Sequence, residues 1–477
     1  MSRATGSAVQ TSDGAPRASG DGAPTTSGDG TPTQRARMSD LLAYSSGSLG
    51  MGVWVTVPGL LLLYFMTHVL GVTPLLAGLT LLLPKILDAV VHPLLGTISD
   101  RHARRSGHRR GLLWWGLLLA VAMTAMFSVP AGLTGGGAAL WIAGWYIAGN
   151  MLFACFQVPY LTTPSDLKIG YHERTRVFMF RLLLLTIGLL GAGVAAPALV
   201  ASGARGDYSQ MALILSGVMV VTGFVGIVGV RRLTEHSGFR APDDREHTFL
   251  GDLKIAWRDR NFRLLVLSYL FTGTTTHLFL AAVPFYTQYV FGAPGLTSLF
   301  MGAFLAPAVV AGPMWLAVSR RLGKQRGLLL SQLIFIVGSL ALAAGGTLGV
   351  AVTAAVIVLL GTSFAGLQLF AFSMLPDAVA VAERGGTSRA GAYTGVWTAT
   401  EATGTAIGPY LYSAVLAIGG FVSTTAGHDV VQSGFAQTAL VVGITVVPAA
   451  LMVGAIAFQA RCRLDRDSIL MRRDPVS

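Results

Sequence analysis

Lys85, Asp88 and His92 lie three and four positions apart in the segment PKILDAVVHPLLGTISDR, residues 84–101. On a helix that spacing puts all three on one face. Their neighbours are apolar enough to cross a bilayer, and an ionisable group inside a membrane is costly and marks a pathway for an ion, proton or substrate. Asp88 and His92 can exchange protons, since histidine titrates near neutral pH. The competing reading is structural: Asp88 neutralises Lys85 in a low-dielectric interior, and His92 is a neutral ring bonded to backbone. Four other positions carry polar chemistry into apolar stretches. Arg181 cannot lose its charge, so it must meet an anion, which is substrate, Asp88 or Glu401. Glu401 needs a partner or a proton. Gln157, Tyr160 and His277 line a substrate path or, like Asn150, join helices as polar glue.

These residues must be positioned by membrane helices. The chain is 53% hydrophobic and 12% charged over 477 residues, with a mean hydropathy of +0.62. A soluble protein carries about twice that charged fraction, roughly 25%. Apolar runs long enough to span hydrocarbon recur along the chain, and they are continuous rather than alternating, which excludes a β-barrel. The pattern predicts twelve helices, at about 41–68, 74–99, 111–131, 138–163, 175–201, 208–231, 262–290, 297–319, 327–347, 350–375, 390–418 and 434–460. Lys and Arg test that number. With twelve spans, 31 of the 34 fall on one side, Lys85 and Arg181 lie within spans, and Arg205 falls opposite. The positive-inside rule then places both termini and the 232–261 loop in the cytoplasm. The net charge of +12 therefore sets topology and does not point to nucleic acid. Cys155 and Cys462 offer neither a disulfide framework nor metal-ligand spacing.

The chain repeats itself weakly. HPLLGTISDR…SGHRRGLL at 92–113 matches GPMWLAVSRRLGKQRGLL at 312–329, pairing Pro93 with Pro313, Ser99 with Ser319, Arg101 with Arg321, Gly107 with Gly323 and Gly111 with Gly327. Thr175-Arg176 and Pro197 likewise match Ser388-Arg389 and Pro409. Two six-helix halves around a central site is a recurrent transporter plan. The expected organisation is a tail at 1–38, halves at 39–231 and 262–460, a linker at 232–261 and a tail at 461–477. The first tail contains an eight-residue unit three times, TSDGAPRA, SGDGAPTT and SGDGTPTQ. It is too polar to bury a core, and its composition predicts disorder.

Three motifs, in order and on one side of the membrane, resemble the major facilitator superfamily, and within it the glycoside–pentoside–hexuronide cation symporters of the melibiose permease type. They are DAVVHPLLGTISDR at 88–101, HERTRVFMFR at 172–181, and MLPDAVAVAERGGTSRAGAYTG at 374–395 followed by Gly404, Gly408 and Pro409. The resemblance covers most of residues 40–460. It implies an all-α integral membrane fold, the major facilitator fold, with twelve transmembrane helices in two pseudo-symmetric halves. It implies that Arg181 and Tyr160, after Pro159, face substrate, and that Asp100 and Arg101, opening a basic loop, help hold a cytoplasmic gate closed. The departures are informative. The family's helix-two cation site has an Asp, then an Asn and a second Asp. Asp88 keeps the first, whereas Val91 and His92 occupy the others. Hard cations want oxygen ligands, so a proton is expected in place of sodium, with Asp88, His92, Lys85 and Glu401 as coupling residues. The family's first-helix acid falls near Gly52 and its fourth-helix acid at Gln157, so the paired sugar-binding carboxylates are absent.

The expected function is a secondary transporter, not an enzyme, working by alternating access and importing a sugar or other small polar solute with a proton. The alternative is a proton-coupled exporter of an amphiphile, lipid or secondary metabolite. Arg181, Gln157, Tyr160 and His277 are the candidate substrate contacts. No cofactor, metal, nucleic acid or obligate protein partner is expected. The expected surroundings are a small-molecule substrate and the bilayer of the plasma membrane, with both termini cytoplasmic.

Overall fold

The structure is a computed structural model that describes residues 36–239, 257–384, 390–426, 430–462 and 464. The repeated tail at 1–35, most of the 232–261 linker and nearly all of 463–477 lie outside the described residues.

Twelve helical rods appear among the described residues. We label them α1 (38–69), α2 (Pro74–Ser106), α3 (Arg110–Phe127), α4 (Gly135–Asp166), α5 (Tyr171–Leu199), α6 (Arg205–Ser237), α7 (Arg260–Tyr289), α8 (296–322), α9 (324–348), α10 (350–384), α11 (Ala390–Ile418) and α12 (Gly434–Gln459). Among the described residues, eight stretches are individually long and apolar enough to cross a membrane, or nine counting α8, whose segments Leu296–Val310 and Gly312–Leu322 meet at 57°. One of the eight, Lys324–Val379, turns back at Gly349 (φ 80°, ψ 170°) and so makes the two rods α9 and α10. The π-turns Pro58–Leu62 and Phe65–Val69 interrupt α1. Proline inside a helix removes an intrahelical hydrogen bond, and the first π-turn begins at one.

Several rods overrun their predicted ends. The most consequential is α2, which continues from 99 to Ser106. Asp100 and Arg101 are therefore helical residues and do not open a loop, which corrects the expectation. Nothing in SDRHARRS breaks a helix until Gly107, whose positive φ of 68° closes the last turn by donating to Ala103 O at 3.0 Å. Gly323, its repeat partner, turns the chain at the same place in the second half with φ 84°. Arg205, the one basic residue predicted on the far side, also has a local reason. Its guanidinium donates to the carbonyls of Val129, Pro130 and Leu133 at 2.9, 2.6 and 3.1 Å, tying α6 to the turn after α3.

The two halves pack alike. α1 lies on α5 and α6, and α7 on α11 and α12. The approach is close where glycine permits it: a Cβ on Gly52 would stand 2.8 Å from Leu185 O on α5, and one on Gly408 would stand 2.6 Å from Leu278 N on α7. Across the halves, α2 packs on α11 and α5 on α8. Large apolar residues such as Leu140, Leu213, Val221 and Val453 remain exposed on the outside, as a hydrocarbon environment allows.

Candidate functional site

The residues singled out on α2 form one connected polar group with α4. Lys85 Nζ donates to Asp88 Oδ2 at 3.1 Å and to Asn150 Oδ1 at 2.9 Å, and lies 5.7 Å from the centroid of the Tyr146 ring. Asp88 is 4% exposed and Asn150 1%, so the pair is held where an uncompensated charge would be strongly unfavourable. One turn on, His92 Nδ1 meets the Asp88 carbonyl at 3.0 Å and Nε2 meets Gln157 Oε1 at 3.0 Å. Both ring nitrogens thus face oxygen. Either His92 is an imidazolium donating twice, or the Gln157 amide is turned and donates back. Those two arrangements differ by one proton. The helical face predicted from spacing is real, and Gln157, two helices further along the chain on α4, is a hydrogen-bond partner of that face.

Arg181 on α5 does not reach Asp88. Among the described residues it makes no ion pair, and its Nε is buried without a partner. Its neighbours include the Tyr44 and Tyr160 hydroxyls and, across the halves, the Glu401 carboxyl. Glu401 in turn faces the Tyr269 hydroxyl, and Tyr269 is stacked on Trp397 with centroids 4.0 Å apart. The Trp397 indole nitrogen is buried and unpartnered. His277 is bonded to its own helix, Nδ1 to Gly273 O at 2.9 Å, and is close enough to Lys85 to feel its charge. The unspent donors therefore include Arg181 Nε in the first half and Trp397 Nε1 in the second, the half that also carries Glu401.

Tyr160 is placed differently from expectation. It is fully buried, stacked 4.6 Å from Tyr44. Its hydroxyl donates to the Tyr44 carbonyl and the Tyr44 hydroxyl donates to the Tyr160 carbonyl. In this conformation it locks α1 to α4, which spends its polar atoms on helix joining. The missing first-helix acid also has a cause: α5 backbone occupies the space that any side chain at Gly52 would need.

At the end of the bundle that carries the basic loops, the structure assembles a network that spacing alone did not reveal. Arg109 is the hub. Its Nη1 meets Asp100 Oδ1 at 2.5 Å and Ser99 Oγ at 3.1 Å, and its Nε meets Asp166 Oδ2 at 2.5 Å. These two carboxylates hold the Arg109 guanidinium more firmly protonated than usual, against the opposing effect of burial. Arg101 is exposed and makes no ion pair among the described residues. Beside the hub, burial, with Arg110 and His102 adjacent, pulls the His108 imidazole below its ordinary range. The second half has a counterpart, Lys324 Nζ to Asp377 Oδ2 at 2.5 Å and to Ser373 O at 3.0 Å. Each of these contacts stays within one half.

At the opposite end the halves are stitched together. Leu70 and Thr425 form an antiparallel bridge. Around it Gly71 N donates to Thr424 O at 2.9 Å, Thr424 N to Thr67 O at 2.9 Å and Ala426 N to Val69 O at 3.1 Å. His68 Nδ1 meets Tyr289 OH at 3.1 Å, and Ser423 Oγ donates to Val72 O at 2.6 Å. A cavity of about 300 Å³ opens beside this seam, lined by Tyr64, His68, Tyr208, Gln288 and neighbours from both halves. Hydrogen bonds between the halves cluster in this seam. No group of three metal-ligating side chains occurs among the described residues.

Twelve rods in two matched halves, sealed at one end and carrying buried charge midway, define a multi-pass membrane carrier. The chain belongs to the MFS/sugar transport protein family, whose model matches residues 43–466. It is 30% identical to an uncharacterized symporter of Synechocystis over 31% of this chain and 28% of that protein. It is 26% identical to the isoprimeverose transporter of Lactiplantibacillus pentosus over 86% of this chain and 85% of that protein. The mouse sodium-dependent lysophosphatidylcholine symporter 1 is 23% identical over 72% of this chain and 71% of its own length. The fold matches the crystal structure of a bacterial homologue of the human lysosomal transporter Spinster, with a TM-score of 0.62 and 14% identity over 92% of this chain and 98% of that one. The family and these relatives are transporters, not enzymes.

Proposed function

We propose that this protein is a secondary active transporter working by alternating access, which imports a sugar or another small polar solute together with a proton. The seam joining the halves at the end away from the basic loops leaves the basic end as the open one. If positive charge marks the cytoplasm, the conformation is inward-facing in the plasma membrane, with both termini cytoplasmic. The observation that carries proton coupling is the pairing on α2. Asp88 is already matched by Lys85 at 3.1 Å, and the next turn offers a histidine in place of a second carboxylate. A proton on the His92–Gln157 pair, one turn from Asp88, is then the mobile charge. Arg181, Glu401 and the Trp397 donor supply polar contacts from both halves, and a solute touching both couples their motion. The resemblance to an isoprimeverose transporter favours a glycoside. The resemblance to a lysophosphatidylcholine symporter favours the amphiphile reading, which the same assay separates.

The test is uptake into proteoliposomes under imposed pH or sodium gradients, using sugars, glycosides and lysolipids chosen by ligand-induced thermal stabilisation. Sugar accumulation driven by the pH gradient and indifferent to sodium is expected. Asp88→Asn is expected to lower accumulation by about tenfold or more, within the usual range of coupling energies, while substrate counterflow persists. Intact accumulation in Asp88→Asn sinks the coupling scheme, and hits confined to lysolipids replace the substrate class.

A further inference from the structure

The environment of Lys85 is that of a bound monovalent cation. Its Nζ is ringed by a carboxylate oxygen of Asp88 at 3.1 Å, a carboxamide oxygen of Asn150 at 2.9 Å and the Tyr146 π face at 5.7 Å. Carboxylate and carbonyl oxygens are what a bare hard cation selects, and an aromatic face attracts cations of any kind. Asn150 is oriented for positive charge at its own expense, because turning Oδ1 toward Lys85 leaves its Nδ2 buried with no partner. All these groups belong to α2 and α4, within one half. Rocking of the halves therefore leaves the cluster intact, as a permanent occupant requires.

We propose that Lys85 is a tethered cation. Its ammonium permanently fills a monovalent-cation position made by Asp88, Asn150 and Tyr146, and this excludes sodium from the transport cycle. Removing the ammonium uncovers a latent alkali-cation site. The inference rests on the transporter reading above, though not on its choice of substrate.

The experiment compares purified full-length wild type, Lys85→Ala and Lys85→Ala/Asp88→Asn by thermal unfolding in sodium, lithium, potassium or choline chloride at one ionic strength. Ligands that bind only the folded state raise its midpoint by mass action. Wild type is expected to show the same midpoint in every salt. Lys85→Ala is expected to gain about 2 °C or more in an alkali chloride over choline, and the double variant to lose that gain because the anionic ligand is gone. A Lys85→Ala protein that stays monodisperse in sodium and aggregates in choline gives the same answer. Aggregation in both salts, a Lys85→Ala midpoint insensitive to the cation, or a sodium response in wild type overturns the proposal. Uptake by wild type in choline under a pH gradient is measured alongside. Failure in choline that sodium does not rescue removes the proton-symport reading and leaves the tether standing, whereas rescue by sodium overturns the tether, so the two ideas fail separately.

Discussion

The two ends of the bundle are held by different physics. At the basic end the strong contacts are ionic and internal to a half: Arg109 with Asp100 and Asp166, and Lys324 with Asp377. At the other end the contacts are neutral, largely backbone, and run between halves. A neutral hydrogen bond contributes about 0.5–1.5 kcal/mol net, and one to a charged group about 1.5–3 kcal/mol. The ionic contacts therefore stiffen each half as a body. The neutral seam is a clasp that solvent can replace bond for bond when the halves part. A carrier that rocks needs that division: rigid units, and a closure whose opening costs little.

The largest expected effect comes from breaking a rigid unit. Arg109→Ala leaves Asp166 and Asp100 facing each other without their cation. Removing one partner of a buried pair costs about 3–5 kcal/mol, and the Arg109 side chain is only 4% exposed. The variant should lose most of its folded yield, and its unfolding midpoint in detergent should collapse, whereas Arg109→Lys should retain part of both. A normal midpoint in Arg109→Ala means that the charges are solvated and the network does not stiffen the half.

Next comes the clasp, where transport rather than stability should respond. Leu70 and Thr425 face each other in an antiparallel bridge, and facing residues have Cα atoms roughly 4.5–5.5 Å apart, within disulfide range. A Leu70→Cys/Thr425→Cys protein, oxidised, should transport about tenfold less or worse than wild type, and a reductant should restore it. Its midpoint should hold or rise. Undiminished transport by the oxidised, cross-linked protein shows that the seam stays shut throughout the cycle, and the comparison of the two ends falls with it.

How much of this was readable in the sequence follows from the range of each interaction. The helices, the two halves and the side carrying the basic loops came from local hydropathy and charge. Lys85, Asp88 and His92 were read as one face because helical spacing is local, and the face is there. Asp166 was missed as a partner of Arg109 because 57 residues separate them and only the packing of α4 beside the α2–α3 turn brings them together. The clasp left no trace, since it is built from main-chain groups that any sequence supplies. Tyr160 was assigned toward substrate by resemblance. Its reciprocal bonds with Tyr44 depend on a register between α1 and α4 that composition does not encode. The seven extra residues of α2 were hidden by their polarity, which suggested a loop although no helix breaker precedes Gly107.

The smallest effect is expected where the repeat is reproduced with a slip. Arg109 stands two residues after the Gly107 turn and Asp166 two after Pro164, while Lys324 stands one after Gly323 and Asp377 one after Pro376. Both partners moved by one position together, so each half keeps a cation-to-acid tie although the aligned residues differ. The ties differ in exposure: the Lys324 and Asp377 side chains are 31% and 25% exposed. Solvent screening then reduces the tie, and Lys324→Ala should cost only about 1 kcal/mol. That is a fraction of the Arg109→Ala effect, readable as a midpoint shift of a degree or two. Equal losses in the two variants would mean that the slip preserved the energy as well as the contact. Burial would then not be what separates the halves, and the second half would be as dependent on the Lys324 tie as the first is on its hub.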